Sequence, residues 1–329
     1  MSSLPLRAAP DVRAAAALAV VGEAPATGAD DFAAALLAAL SQRPRSIAPK
    51  YFYDAAGSAL FDRICELPEY YPTRTEIALL QRHAGEMAEC IGADAEIVEF
   101  GAGSSRKVRL LLDALRRPRR FVPIDISAEH LQAAAAQLRA DYPALEVAPL
   151  AADFTRRVTL PAAAGRRVGF FPGSSIGNFT PGDALAFLRA TAAVLDHGLL
   201  IGVDLVKDPA RLHAAYNDAA GVTAAFNLNL LARANRELGA DFDLDAFAHY
   251  AFYEPREQRI EMHLVSRRAQ TVRLCGQAFG FDAGEPLHTE NSYKYTVEQF
   301  HALAREAGYR PDAVWIDDER LFSVHWLGL

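Results

Sequence analysis

Gly101-Ala102-Gly103 stands where an apolar run, Ile97 to Phe100, hands over to a stretch headed by Arg106 and Lys107. Glycines at a strand-to-helix junction permit positive φ and let a ligand approach the backbone closely. The dinucleotide fingerprint GxGxxG would need a third glycine at position 106, where this chain has arginine. That weakens a nicotinamide reading without excluding it. Asp125 closes the next apolar run about 20 residues later, where a carboxylate can accept from both ribose hydroxyls of an adenosyl group. Asp153 and Phe154 follow the third run. The acid there can accept from an exocyclic amine, and the ring offers a face for stacking. Singly, each has an ordinary alternative: Gly101 turns the chain, Asp125 caps the helix at Ala128, Asp153 is a loop acid. Together they make a nucleoside-binding constellation.

A second set of residues could hold an acceptor. Phe171-Pro172-Gly173-Ser174-Ser175-Ile176-Gly177-Asn178-Phe179 follows the fourth apolar run, at the end of an open α/β sheet where ligands bind. Asn178 both donates and accepts, so it can grip an amino group or a carboxylate, or order its own loop. Glu290 and Ser292 are two apart in an extended segment and so project from one face. A carboxylate and a hydroxyl can together satisfy a ring N–H, and a site built for such a group rejects analogues lacking it by about 10⁴ or more in favourable cases. The same pair could instead be solvated on an exposed strand. Met262 alternates with Ile260 and Leu264, which by itself describes a core-facing strand. Tyr53, Tyr70 and Tyr71 could be core aromatics, although the two before Pro72 are held extended and can line a rim.

These residues need a scaffold of strands and helices. From Ile97 onward, short apolar strands (Ile97 to Phe100, Arg120 to Ile124, Glu146 to Leu150, Val168 to Phe171, Gly198 to Leu205) alternate with helices. That is the signature of βα units on a parallel sheet. Ser127, Thr180 with Pro181, and Asp208 with Pro209 are helix starts. Upstream, Phe32, Leu36, Leu37 and Leu40 recur at helical spacing. A turn-rich aromatic segment from Tyr51 to Pro72 follows, then a helix from about Thr75 to Cys90. Beyond Gly221 the alternation lapses into a long helix, Thr223 to Leu238, and antiparallel stretches at Tyr250 to Tyr253, Ile260 to Arg267 and Thr271 to Leu274. Thr296-x-x-Gln299 reads as a capping box, and Val314 to Asp317 with Phe322 to Leu327 as a terminal hairpin.

The 329 residues, 51% hydrophobic, suffice for one large or two medium domains. A net charge of −7 with scattered Lys and Arg gives no electrostatic footprint for nucleic acid. No apolar run reaches the roughly 18 residues of a membrane span. Cys65, Cys90 and Cys275 are far apart, with no CxxC and no His at ligand spacing, so a reduced cytoplasmic protein without a metal is expected. Arg13 to Ala26 imitates a secretory leader, but the run is short, weakly hydrophobic and preceded by Asp11. Residues 1–29 are read as a disordered Ala/Pro-rich leader.

Several long strings carry a resemblance. Tyr51-Phe52-Tyr53-Asp54, Leu67-Pro68-Glu69-Tyr70-Tyr71-Pro72-Thr73-Arg74-Thr75-Glu76, the Gly-Ser-Ser-Ile-Gly-Asn loop, Ala219 to Asn227, and Glu290-Asn291-Ser292-Tyr293-Lys294-Tyr295 look like those of the histidine Nα-methyltransferases of ergothioneine biosynthesis. The resemblance runs from Tyr51 to Trp326 and implies an α/β fold. Its parts would be a Rossmann-like class I methyltransferase sheet ending in an antiparallel hairpin (72–207 and 295–329) and a smaller α+β substrate domain (30–71 and 208–294). It implies S-adenosylmethionine bound by Gly101, Lys107, Asp125, Asp153 and Phe154. It places Tyr53, Tyr70, Gly173, Asn178, Tyr216, Met262, Glu290 and Ser292 around L-histidine, with Asn178 and Tyr216 holding the amino acid backbone and Tyr70, Glu290 and Ser292 addressing the imidazole. Tyr53 and Asn178 are the candidates for a catalytic part. The expected product is the trimethylammonium betaine hercynine, made by a monomer. Rival readings are the same fold acting on another aromatic amino acid such as a tryptophan derivative, a nicotinamide oxidoreductase, and a module that binds S-adenosylmethionine without consuming it.

Overall fold

The computed structural model describes residues 28–103, 105–156 and 158–329. The expected leader lies outside them except for Gly28 and Ala29, which open the first helix. That helix, α1 (Gly28–Ser41), buries Phe32, Leu36 and Leu40 at i, i+4, i+8 spacing. A short strand β1 (Arg45–Ser46) follows, then α2 (Ala55–Glu66) and α3 (Tyr71–Ile91). The sequence reading has only turns where α2 stands. Asp54 begins that helix by accepting from the Gly57 N–H at 2.7 Å. Helix α3 starts four residues earlier than the expected Thr75, with Pro72 in its first turn, where a missing N–H costs nothing.

The βα units come next: β2 (Ala95–Phe100), α4 (Arg106–Ala114), β3 (Arg120–Asp125), α5 (Ala128–Asp141), β4 (Glu146–Val147), β5 (Leu150–Ala151), β6 (Arg166–Phe171), α6 (Pro181–Ala192) and β7 (Gly198–Asp204). The third expected strand is thus two short pieces, each pairing with β3. Ser127 makes no side-chain cap to α5; the Asp125 carboxylate instead accepts the Ser127 N–H at 2.9 Å. Then follow α7 (Pro209–Tyr216), α8 (Val222–Leu238), β8 (Phe247–Glu254), β9 (Arg259–Ser266), β10 (Gln270–Leu274), β11 (Gln277–Phe281), β12 (Pro286–Tyr293), α9 (Val297–Glu306), β13 (Arg310–Ile316) and β14 (Phe322–Gly328). The capping box at Thr296 and Gln299 has both of its hydrogen bonds.

The main sheet runs β13-β14-β7-β6-β2-β3-β4. The strands from β4 to β7 are parallel, and β14 and β13 return antiparallel. This is the Rossmann-like class I methyltransferase arrangement with its terminal hairpin. Strands β2, β6 and β7 are buried almost throughout because helices cover both faces. The order reverses between β2 and β6, which opens a crevice at the carboxyl ends of those strands.

A second sheet runs β1-β12-β9-β8. Only β8 and β9 of the three expected antiparallel stretches share it. The third, β10, leaves to pair with β11, and β12 takes the place beside β9. One apolar cluster joins this sheet's inner face to residues 32–71 and to α7 and α8, while two others lie on the faces of the main sheet. The loop after β6 bridges the two. Gly177 lies against β12, where an added Cβ would sit 2.7 Å from the Tyr293 carbonyl oxygen, so that position requires glycine.

Candidate active site

A cavity of about 1320 Å³ opens at the carboxyl ends of β2, β3 and β6 and reaches the edge of β12. Gly101, at the end of β2, has φ +74°, and a Cβ there would meet the Phe154 ring at 3.2 Å. That ring is held edge-on by Phe171 and Phe187, with centroids 5.6 and 6.0 Å away. Asp125 ends β3 on the cavity wall, and burial raises its pKa. Asp153 pairs with Lys50 at 2.9 Å, and its other oxygen accepts from the Thr155 N–H. Burial opposes its ionisation, but the bonds from Thr155 and Lys50 hold its pKa below the ordinary value. Lys50 also reaches Asp31 of α1 at 3.2 Å, so α1 is tied to this end of the cavity.

Between the glycine turn and the loop after β6 lies a compact charged group. Glu76 of α3 accepts the Gly173 N–H at 2.9 Å and pairs with Lys107 at 2.6 Å. Gly173 has φ +80° and Ser174 φ +55°, a left-handed pair that turns the chain sharply into the short 3₁₀ helix Ser175–Asn178. Glu99 of β2 lines the cavity, and its Oε2 is buried without a hydrogen-bond partner among the described residues. Burial pushes its pKa up to about 8, against the pull of Lys107.

Behind this group is a smaller recess, lined by Tyr53, Tyr70, Asn178, Tyr216, Glu290 and Ser292 and also by Asp204 and Lys294. Burial drives the Tyr53 and Tyr70 hydroxyls well above their usual pKa, so both are neutral donors. Tyr53 packs edge-on against Phe61 and Phe226, and Tyr70 against Tyr216. The Glu290 carboxylate has no hydrogen-bond partner among the described residues; burial lifts its pKa to about 7, only partly offset by Lys294. Lys294 is fully buried and meets Asp204 at 2.8 Å. Asp204 in turn accepts from Lys207 and the Tyr71 hydroxyl. Tyr71, read as a possible rim residue, is therefore a buried anchor.

All the candidate residues but one lie on these walls: Gly101, Lys107, Asp125, Asp153 and Phe154 in the wide part, Tyr53, Tyr70, Gly173, Asn178, Tyr216, Glu290 and Ser292 in or beside the recess. Met262 is the exception, for it is not among the residues lining either cavity. Its side chain lies in the apolar core with Ile260 and Leu264, as their alternation along β9 dictates. It sits directly across from Glu290 in the antiparallel β9–β12 register, which makes the two side chains neighbours on one face of the sheet. Glu76, Glu99, Lys50, Asp204 and Lys294 were missed. Asp204 had a readable signal, an acid ending an otherwise apolar strand, and Glu99 a weaker one, an acid in a strand that also carries Glu96. The fold also brings together three side chains of metal-ligating type. Pairing of β9 with β12 places His288 beside His263, and with Glu261 the three form a group whose ligand atoms lie within 4.8 Å. Sequence spacing hid it, and Arg259 already pairs with Glu261.

Residues 32–329 match the family described as histidine-specific methyltransferase, SAM-dependent. The chain is 48% identical to the histidine N-alpha-methyltransferase of Mycolicibacterium smegmatis and 46% to that of Mycobacterium tuberculosis. Each alignment covers 87% of this chain and 91% of the relative. Ergothioneine biosynthesis protein 1 of Neurospora crassa is 33% identical over 83% of this chain, which spans 32% of that longer protein.

Proposed function

The chain belongs to the histidine-specific, S-adenosylmethionine-dependent methyltransferase family, and from that premise we propose that it trimethylates the α-amine of L-histidine to hercynine in ergothioneine biosynthesis. The observation that carries this reading is the recess itself. A buried carboxylate without a partner stands two residues from a hydroxyl, within reach of the nucleoside-binding end of the same crevice. An imidazole N–H would compensate Glu290, whose burial is otherwise costly.

The residues at the wide end fit the cofactor. The cradle at Gly101 that a Cβ would narrow, the Phe154 face, the acid ending β3 and the unpartnered Glu99 oxygen together suit a ribose, a flat base and an ammonium group. In this proposal Gly101, Lys107, Asp125, Asp153 and Phe154 hold S-adenosylmethionine, with Glu99 as an addition. When bound, it supplies a methyl group activated on a sulfonium. The chain would align the histidine nitrogen with that methyl; such orientation can contribute several kcal/mol to lowering a barrier. Asn178 and Tyr216 would hold the amino acid backbone, and Tyr70, Glu290 and Ser292 the ring. The Tyr53 face would accommodate the cationic products at about 0.5 to 2 kcal/mol. Residues 72–207 and 295–329 would form the cofactor-binding unit, and 30–71 and 208–294 the substrate unit. The protein is proposed to work as a cytoplasmic monomer. Among the described residues no helix is long and apolar enough to cross a membrane.

Mass spectrometry of the purified chain incubated with S-adenosylmethionine and a mixture of common amino acids tests the reading. Histidine gaining one to three methyl groups, with the others untouched, is expected. Methylation of tryptophan instead would retain the fold and cofactor and overturn the ring assignment. Binding without any methylation would favour a sensing module.

A further inference from the structure

We infer that Lys294 is a positioning residue that fixes the hydrogen-bond polarity of the recess, so that it accepts only a neutral azole ring bearing one N–H and one bare nitrogen. The inference rests on the histidine reading and goes beyond it by stating which protonation form and which ring chemistry the site takes.

The argument is a count of protons. An ammonium has three N–H donors and no acceptor. The Lys294 Nζ spends all three inside the protein: on Asp204 at 2.8 Å, on the Ser292 Oγ at 2.5 Å and on the Tyr216 hydroxyl at 3.3 Å. Asp204 keeps it charged, outweighing the burial that works the other way. Both hydroxyls therefore receive a hydrogen bond from Lys294. They also bond to each other, with the Tyr216 hydroxyl donating to the Ser292 Oγ at 2.7 Å. Two hydroxyls carry two protons, and one is used between them. In the drawn direction Ser292 accepts twice, its lone pairs are filled, and its own O–H is left over. Ser292, the hydroxyl assigned to the ring, can therefore only donate to the recess; Tyr216 keeps one free lone pair, which in the proposed function faces the amino acid backbone.

Glu290 offers the ring an acceptor when ionised, and Tyr70, the third polar side chain assigned to the ring, is a further neutral donor. A neutral imidazole supplies the matching pair, an N–H for the carboxylate and a bare nitrogen for the hydroxyl. Pyrrole and indole have the N–H but nothing for the hydroxyl to bond. An imidazolium has two N–H groups and would face a donor with a donor. A buried donor left unpaired costs enough to lower affinity or rate by about 10- to 100-fold. Without Lys294 one lone pair of Ser292 is freed, and that hydroxyl could then accept from the ring as well as donate to it.

The test compares L-histidine with the two pyrrolylalanines, β-(pyrrol-2-yl)- and β-(pyrrol-3-yl)-L-alanine, which retain an N–H at either ring position and lack the bare nitrogen. The parent protein is expected to show kcat/KM about 10- to 100-fold lower for both pyrroles. Lys294→Gln, whose amide can accept as well as donate, is expected to shrink that ratio about tenfold with unchanged S-adenosylmethionine affinity by calorimetry. Parent protein that uses either pyrrole as well as histidine overturns the inference. So does a variant that binds cofactor and keeps the parental ratio. If the variant does not fold, nitrogen NMR of ring-labelled histidine bound to the parent decides. One protonated and one hydrogen-bonded bare nitrogen support the inference, and an imidazolium signature overturns it. Parent protein that methylates no histidine removes the premise, a result distinct from histidine being methylated without ring selectivity.

Discussion

Glu290 combines burial, an ionisable group and the absence of a hydrogen-bond partner among the described residues, and it is paired with Met262 across β9 and β12. Its contribution is therefore specific to whatever enters the recess. Glu290→Ala is expected to lower kcat/KM for histidine by about 100-fold, in keeping with the 1 to 3 kcal/mol of a lost charged hydrogen bond, and to leave cofactor affinity unchanged. Equal histidine kinetics in mutant and parent would remove the ring contact from the account. In the proposed function Tyr53 acts through its face. Tyr53→Leu should slow the second and third transfers more than the first, since only their substrates carry methylated amines whose cationic forms the ring attracts; the ratio of mono- to trimethylated product by mass spectrometry measures this.

The elements matter through where they force these side chains to be. Strand β12 presents Glu290 and Ser292 inward because pleating sends alternate side chains to one face, and the loop after β6 reaches it only because residue 177 has no side chain. Gly177→Ala places a methyl 2.7 Å from a backbone oxygen that belongs to β12 and cannot swing away. The expected result is a loss of about 1 to 3 kcal/mol in stability, with a rise in histidine KM as Asn178 withdraws from the recess. Unchanged melting and KM would show that the contact relaxes without cost.

Across the whole molecule, buried carboxyls make the ligand-free fold sensitive to base. The Glu99 pKa is raised to about 8 by burial, from 4.5 in the unfolded chain. The folded state therefore holds a proton that the unfolded state has released, and this stabilisation is lost as pH rises through about 8. Several buried histidines with lowered pKa values act in the opposite sense below about pH 6.5, so the window in which Glu99 shows is pH 6.5 to 8. Between those limits the parent should lose on the order of 2 kcal/mol relative to Glu99→Gln, read from denaturant midpoints at each pH. Parallel curves for the two proteins would mean that the carboxyl is already ionised at pH 6.5.

What could be read from residue order was whatever is encoded locally. Apolar runs of strand length alternating with capped helices determine a parallel sheet, and a glycine turn followed by acids at the next two strand ends marks a nucleoside site, because each signal lies within one βα unit. The partners of those residues were decided elsewhere. Glu76 bonds Gly173 across 97 positions, Lys294, just after β12, meets Asp204 at the end of β7, and Met262 is brought beside Glu290 by strand pairing. Helix α2 went unread because an aromatic, turn-like segment hid the Asp54 cap. Local propensity depends on neighbours along the chain, whereas burial, proton inventory and the face that a strand presents depend on what packs against it, and only the tertiary fold supplies that.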